Sequence, residues 1–302
     1  MTKSTKWFLG ILGVIALIVA GFVLFITMLI SSAETRTELV TTGSGEKIAV
    51  IELRGVITSS DDVIRQLKKY RESRGIRAIV LHIDSPGGGV VPSQEVYEEV
   101  RATRESGKPV VVSMGSLAAS GGYYVACGGS RLVANRGTLT GSIGVIAEFL
   151  QYGDALRKLG IDMHIVKSGR LKDSGTPMRK MTDEEQKYFQ NLMDVVHRQF
   201  IAVVEKSRHL EHEKVVALAD GRVFTGEESV KLGLVDTLGT FEDAVNIAAH
   251  LAGIAGEPAI VRERRSQGWL EPFFGDAGQT IRELKQEILD RPVLSYRYIG
   301  SQ

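Results

Sequence analysis

Over 302 residues, 37 Lys and Arg balance 36 Asp and Glu, and a net charge of +1 gives no whole-chain basis for a nucleic-acid partner. The one cysteine, Cys127, excludes an intrachain disulfide framework and argues against a cysteine metal cluster; in its run of small residues it reads as a packed apolar side chain. With 43% hydrophobic and 24% charged residues, the chain suffices for one large or two small globular domains with appendages.

Residues 1–6 carry Lys3 and Lys6 and precede a charge-free apolar run, residues 7–30. At about 1.5 Å rise per residue, such a run crosses a hydrocarbon core of about 30 Å. Lysines before it, with Glu34, Arg36 and Glu38 after it, place the N-terminus in the cytoplasm and the rest of the chain on the outer side of a cell membrane. Ser31 and Ala33 would suit a signal-peptide cleavage site, but the run exceeds the roughly 7–15 residues of a signal-peptide core, so it reads as a retained single-pass anchor. Residues 31–46, rich in Thr, Ser and Gly, read as a linker.

From residue 47 the pattern alternates. Residues 47–53 read as a strand. Residues 59–74 read as a helix with Val63, Ile64, Leu67 and Tyr70 on one stripe, and residues 77–83 as a buried parallel strand. After Asp84-Ser85-Pro86-Gly87-Gly88-Gly89 comes a helix with Val96, Tyr97 and Val100 inward, then a third strand, residues 109–114. Further strands are expected at 130–134, 143–147 and 161–167, with a short helix at 153–160 and a long loop at 168–181. Thr182-Asp183-Glu184-Glu185 is a capping box that starts a helix running to about His209; Thr225 with Glu228 and Thr240 with Asp243 start shorter ones. Strands and helices alternating at this spacing imply an α/β fold. An aromatic cluster at 269–274 and a short amphipathic helix at 281–289 mark a C-terminal segment of different character, and no internal repeat is visible.

Ser120 follows the third strand in Gly115-Ser116-Leu117-Ala118-Ala119-Ser120-Gly121-Gly122-Tyr123-Tyr124. A strand that bends through small residues into a helix exposes one side chain, and glycines leave the next N–H groups open, as an acyl-transfer nucleophile requires. The plainer alternative is a tight turn packed on small side chains. The N–H groups of Gly87, Gly88 and Gly89 could bind an oxyanion or a phosphate, although the run matches neither nucleotide-binding glycine pattern. A serine nucleophile needs a base. None of His82, His164, His197, His209, His212 and His250 lies in a catalytic or metal-ligand pattern, and each reads as a surface or core histidine. Lysine is the other option, if desolvation or a nearby cation lowers its pKa. The loop supplies Lys167 and Lys172, and spacing alone does not choose between them.

Asp84-Ser85-Pro86-Gly87-Gly88, Ala119-Ser120-Gly121-Gly122-Tyr123-Tyr124, Thr140-Gly141-Ser142-Ile143-Gly144 and Lys172-Asp173, in this order, resemble the signal peptide peptidase A family in its short bacterial form. The resemblance runs from residue 47 to about 255, with the anchor in the expected place. It implies the Clp-protease/crotonase α/β spiral and a Ser-Lys serine peptidase acting on signal peptide remnants and other apolar peptides at the bilayer. It implies Ser120 as nucleophile, Lys172 as general base, Ser142 orienting the lysine, and Gly88 with Gly121 as oxyanion donors, Gly87 and Gly89 being the alternatives to Gly88. It implies a homo-oligomeric ring and calls for no cofactor or metal. Arg170-Leu171 before the lysine departs from the family, where an aromatic is common. The expected organisation is 1–6 cytoplasmic, 7–30 anchor, 31–46 linker, 47–265 protease domain and 266–302 C-terminal tail. The competing readings are a crotonase-like acyl-CoA enzyme, the membrane Ser-Lys protease associated with stomatin-like proteins, and a catalytically silent membrane scaffold. The acyl-CoA enzyme needs neither Ser120 nor Lys172 and would not meet CoA outside the cytoplasm.

Overall fold

Apolar runs without alternation make strands that must be covered on both faces, and the centre of this molecule is built from them. The computed structural model describes residues 37–265 and 295–298, with isolated positions 7, 13 and 21. Residues 41–262 group with 285–302 as one unit, and 1–40 with 263–284 as another. The elements that position the site belong to the former. Among the described residues no helix is long and apolar enough to cross a membrane, and the anchor expected at 7–30 lies outside them but for those three positions. The aromatic cluster at 269–274 and the helix at 281–289 also lie outside them.

In chain order the strands are β1 (Thr37–Thr42), β2 (Lys47–Arg54), β3 (Ile76–Ser85), β4 (Gly87–Gly89), β5 (Val110–Ala119), β6 (Arg131–Ala134), β7 (Leu139–Gly141), β8 (Val223–Thr225), β9 (Thr237–Leu238), β10 (Ala259–Arg265) and β11 (Ser295–Arg297). The helices are α1 (Asp61–Glu72), α2 (Val90–Glu105), α3 (Gly121–Ala126), α4 (Gly153–Lys158), α5 (Asp183–Arg208), α6 (His212–Leu218), α7 (Gly226–Leu232) and α8 (Phe241–Leu251). The sheet runs β10-β2-β3-β5-β6-β9, every neighbouring pair parallel. One face packs Ile48, Val50, Ala78, Val80, Val111 and Val133 against Ala244, Val245 and Ala248 of α8. The other packs Ala49, Ile51, Ile79 and Leu81 under α1, α2, α3 and α5. The capping boxes expected at Thr182, Thr225 and Thr240 are all formed.

The strand before Ser120 is longer than expected. β5 continues through Gly115 to Ala119, and its two halves pair with different strands: Val111–Met114 with β6, Leu117–Ala119 with β7. The sheet therefore turns at Gly115, where a Cβ would lie 3.0 Å from Asp84 Cβ, and where the Leu117 N–H donates to Asp84 Oδ1 at 3.1 Å. This turn passes the end of β5 from β6 to β7 while Ala118 stays paired with Ser85 at the end of β3.

Several expected elements differ. Residues 31–46 are not an open linker throughout, since β1 lies in them. The strand expected at 143–147 lies earlier, at β7, leaving only a bridge at Ile146. Residues 161–167 alternate like a strand but have no strand partner among the described residues and are exposed. Within 266–302, expected as a tail apart from the domain, Ser295–Arg297 returns to pair with β4.

Candidate active site

Ser120 joins β5 to α3 with φ 52° and ψ −116°, a left-handed backbone that a side chain adopts only when its surroundings impose it. Its N–H donates to the Gly141 carbonyl at 2.8 Å and its carbonyl accepts from the Tyr124 N–H at 2.8 Å, fixing both sides of the bend. The hydroxyl makes no capping bond to α3. Glycine is required just beyond: a Cβ on Gly121 would lie 2.5 Å from Ser93 Oγ and 3.1 Å from Gly88 N, and one on Gly122 would lie 3.0 Å from the Ser85 carbonyl.

β4 runs beside this bend. The Ile57 N–H donates to the Gly87 carbonyl and the Gly89 N–H to the Ile57 carbonyl, while the Gly87 N–H donates to Ser85 Oγ. Backbone groups alternate sides along a strand, so the N–H of Gly88 faces away from Ile57, on the side where β4 pairs with β11, and its nitrogen lies 3.1 Å from the position of a Cβ on Gly121. A Cβ on Gly87 (φ +94°) would lie 2.5 Å from Gly121 N, a measure of how closely β4 and α3 approach.

Ser142 is a second serine with positive φ, 49°, just after β7. Its N–H donates to the Arg222 carbonyl at 2.8 Å. β7 is held on β5 by Thr140 Oγ1 to the Ala118 carbonyl at 2.6 Å and by Thr138 Oγ1 to the Gly115 carbonyl at 2.7 Å. Ser120 and Ser142 line one cavity of about 450 Å³, walled opposite by Gln190, Met193, Asp194 and His197 along one face of α5.

Lys172 does not line that cavity. It lies exposed in the turns between α4 and α5 with no side-chain hydrogen bond or ion pair among the described residues. Lys167 is engaged: its Nζ bonds Asp173 and the Arg170 carbonyl. Asp173 also takes Arg179 at 3.0 Å, and Arg179 bonds Glu185 at 2.6 Å, pinning the lysine loop to the capping box of α5. One chain thus brings together Ser120, Ser142, Gly88 and Gly121 but not Lys172.

The bonds to Lys167 and Arg179 lower the Asp173 carboxyl, and the Arg179 bond with the Thr182 N–H holds Glu185 down at about 2. A carboxyl depressed in the fold stabilises it above its unfolded pKa, here 4.5, and that contribution is lost as pH falls toward 2. Glu185→Gln is expected to lower the melting temperature at pH 7 while the gap to wild type closes between pH 4.5 and 2; a constant gap in calorimetry across that range contradicts the pairing.

His197 was not marked by sequence pattern, yet its Nε2 is buried at the cavity wall with no partner among the described residues. Only the helical spacing of Gln190, Met193, Asp194 and His197 could have signalled a shared face. His82 meets Ser113 Oγ at 3.2 Å within the sheet, a core role. Cys127 is fully packed, with burial pushing its thiol up, as its small-residue setting suggested.

Comparison with known proteins supplies the family. Residues 102–255 match the peptidase family S49 model, and residues 45–144 match that of the Clp proteases. A Synechocystis protein named as a protease is 45% identical over 215 residues, 70% of this chain and 77% of its own. An Enterococcus faecium protein bearing the name signal peptide peptidase SppA is 32% identical over 270 residues, 85% of this chain and 78% of its own. Protease 4 of Salmonella typhi is 37% identical over 269 residues, 83% of this chain but 43% of its own. A mixed α/β domain of Clp-protease type, matched by the S49 peptidase model and by relatives named as proteases, is a serine peptidase. The chain belongs to peptidase family S49.

Proposed function

We propose that this peptidase is an endopeptidase that cleaves signal peptide remnants and similar apolar peptides with a Ser120–Lys172 dyad, held at the outer face of a cell membrane by residues 7–30. The observation that carries the reading is Ser120 on its strained bend, with the N–H of Gly121 following it and the nitrogen of Gly88 3.1 Å from the position of a Cβ on Gly121. In this mechanism neutral Lys172 takes the Ser120 proton as Oγ attacks the peptide carbonyl. The two backbone donors hold the oxyanion, each worth about 3 kcal/mol in comparable sites. Lys172 then protonates the leaving amine, and a water that it deprotonates hydrolyses the acyl-enzyme. Ser142, in the same cavity as Ser120, orients the lysine amine.

Lys172 reaches the site from a second copy of the chain. A lysine in water keeps its proton near neutral pH and is no base; one covered by apolar surface gives it up more readily. Beside the lysine loop, Leu159, Ile161, Met163 and Val166 are 74%, 54%, 56% and 91% exposed. That apolar strip suits coverage by a neighbouring subunit in a closed homo-oligomer.

A serine-directed fluorophosphonate tests the nucleophile. Peptide mapping after labelling is expected to place the adduct on Ser120, with Lys172→Ala labelled far more slowly. An adduct on Ser142 or elsewhere, or none, overturns the assignment.

A further inference from the structure

The turns that carry Lys172 are tied on both sides of it. Its own N–H donates to the Gly169 carbonyl at 3.2 Å, the Ser174 N–H to the Leu171 carbonyl at 3.2 Å and the Thr176 N–H to the Asp173 carbonyl at 3.1 Å. Lys167 Nζ donates to the Arg170 carbonyl at 3.0 Å and to Asp173, so it spans the loop from before the turns to the residue after Lys172. Lys172 is exposed, whereas Leu171 before it and Asp173, Ser174 and Gly175 after it are half-buried.

Two anchors hold this loop to the rest of the chain. One is polar. The Asp173 side chain is only 10% exposed, so its bonds are little open to water. Arg179 Nη2 donates to it at 3.0 Å and to Glu185 at 2.6 Å, while Arg179 Nη1 reaches the other Glu185 oxygen at 2.8 Å. Glu185 is buried and closes the capping box of α5 with Thr182. Asp173 is thereby fixed to a helix end that local bonds already define, and forked charge-assisted bonds add geometric definition as well as strength. The other anchor is apolar. Phe149 and Phe189 lie with ring centroids 4.4 Å apart, and a Cβ on Gly175 (φ +77°) would lie 2.6 Å from the Phe149 ring. The chain just after Lys172 thus rests on an aromatic pair whose second ring belongs to α5.

A base acts only within hydrogen-bond reach of its serine, and ordering a loose loop to bring it there costs free energy at the moment of docking. A loop already ordered in the free chain avoids that cost and fixes the amine where it acts. Lys167 and Arg179 match the Asp173 charge, so the carboxylate acts on Lys172 through the chain rather than through its field.

We propose that Asp173 is the positioning residue of the general base: tied by Lys167 and Arg179 to the start of α5, it fixes the loop so that Lys172 meets Ser120 already in place. The inference rests on Lys172 being the base, and it adds what holds that base.

The first test is kinetic, on the full chain with an apolar peptide. Asp173→Ala is expected to lower kcat by about 10- to 100-fold with KM changed less than about twofold, the scale of misplacing a reacting group by about 1 Å. Asp173→Asn, which keeps an acceptor for Arg179, is expected to lose less. Both should melt cooperatively, because Arg179 stays on Glu185 and the capping box stays closed. A kcat for Asp173→Ala within about twofold of wild type, or a loss that lies wholly in KM, overturns the proposal. The second test separates position from general damage. In refolded mixtures, Ser120→Ala chains supply the lysine and Lys172→Ala chains the serine. Asp173→Ala added to the lysine-supplying chain should cut the recovered activity by the same factor as its kcat; added to the serine-supplying chain, it should leave that activity within about twofold. Equal losses in the two mixtures contradict a positioning role. No recovery in the mixture without Asp173→Ala sinks the dyad shared between copies but not the positioning role, which the kcat loss then decides alone.

Discussion

Ser120→Ala and Lys172→Ala are each expected to reduce cleavage of an apolar peptide by about 10⁴-fold or more, the scale of losing one member of a catalytic unit. Neither change is expected to alter the fold. The Ser120 hydroxyl caps nothing, the bend is held by main-chain bonds, and Lys172 is exposed with no ion pair among the described residues. Circular dichroism and melting curves should therefore match wild type while activity vanishes. Activity within about tenfold of wild type for either variant would remove that residue from the mechanism. Lys167→Ala is the informative contrast. Lys167 ties Asp173 and the Arg170 carbonyl, so its loss should loosen the loop and cost far less than loss of Lys172.

The second large effect is steric. A methyl group on Gly88 would lie 2.2 Å from the Ile57 carbonyl oxygen and 2.5 Å from its nitrogen. Both are backbone atoms, so β4 must move instead, taking the Gly88 N–H with it. Gly88→Ala is expected to lower kcat by about 10²–10³-fold, the scale of losing one oxyanion donor. Overpacking should add a stability loss of about 1–3 kcal/mol, read as a lower denaturant midpoint. Gly137→Ala, where nothing lies within 4 Å, is the control and should change neither quantity. Near-normal turnover in Gly88→Ala would place the oxyanion donor elsewhere.

The α/β order and the helix starts were legible because they are local. Each capping box closes within four residues, and the parallel strands announce themselves as apolar runs. The bend at Ser120 was legible for the same reason: Gly121 and Gly122 can be read without their neighbours. What was not legible depends on distant chain. Three consecutive glycines do not say which way each N–H points; that is decided by Ile57, which takes the Gly89 donor on one side, and by Ser85, whose Oγ takes that of Gly87. The alternation of Ile161, Met163 and Ile165 is that of a half-buried strand, yet among the described residues no strand pairs with it. A pattern of that kind with nothing to cover it fits a surface completed by another copy. β11 was missed because three residues carry no periodicity and their partner, β4, lies some two hundred positions away. His197 was set aside because a histidine on a helix reveals nothing of the cavity it faces.

The proposed dyad shared between copies is tested by the two inactive variants together. Ser120→Ala and Lys172→Ala chains, unfolded, mixed in equal amounts and refolded, should recover about a quarter of wild-type activity, the fraction of interfaces that pair an intact serine with an intact lysine. No recovery in a mixture that reassembles to the wild-type size would contradict it, because the serine and its base would then have to lie in the same chain.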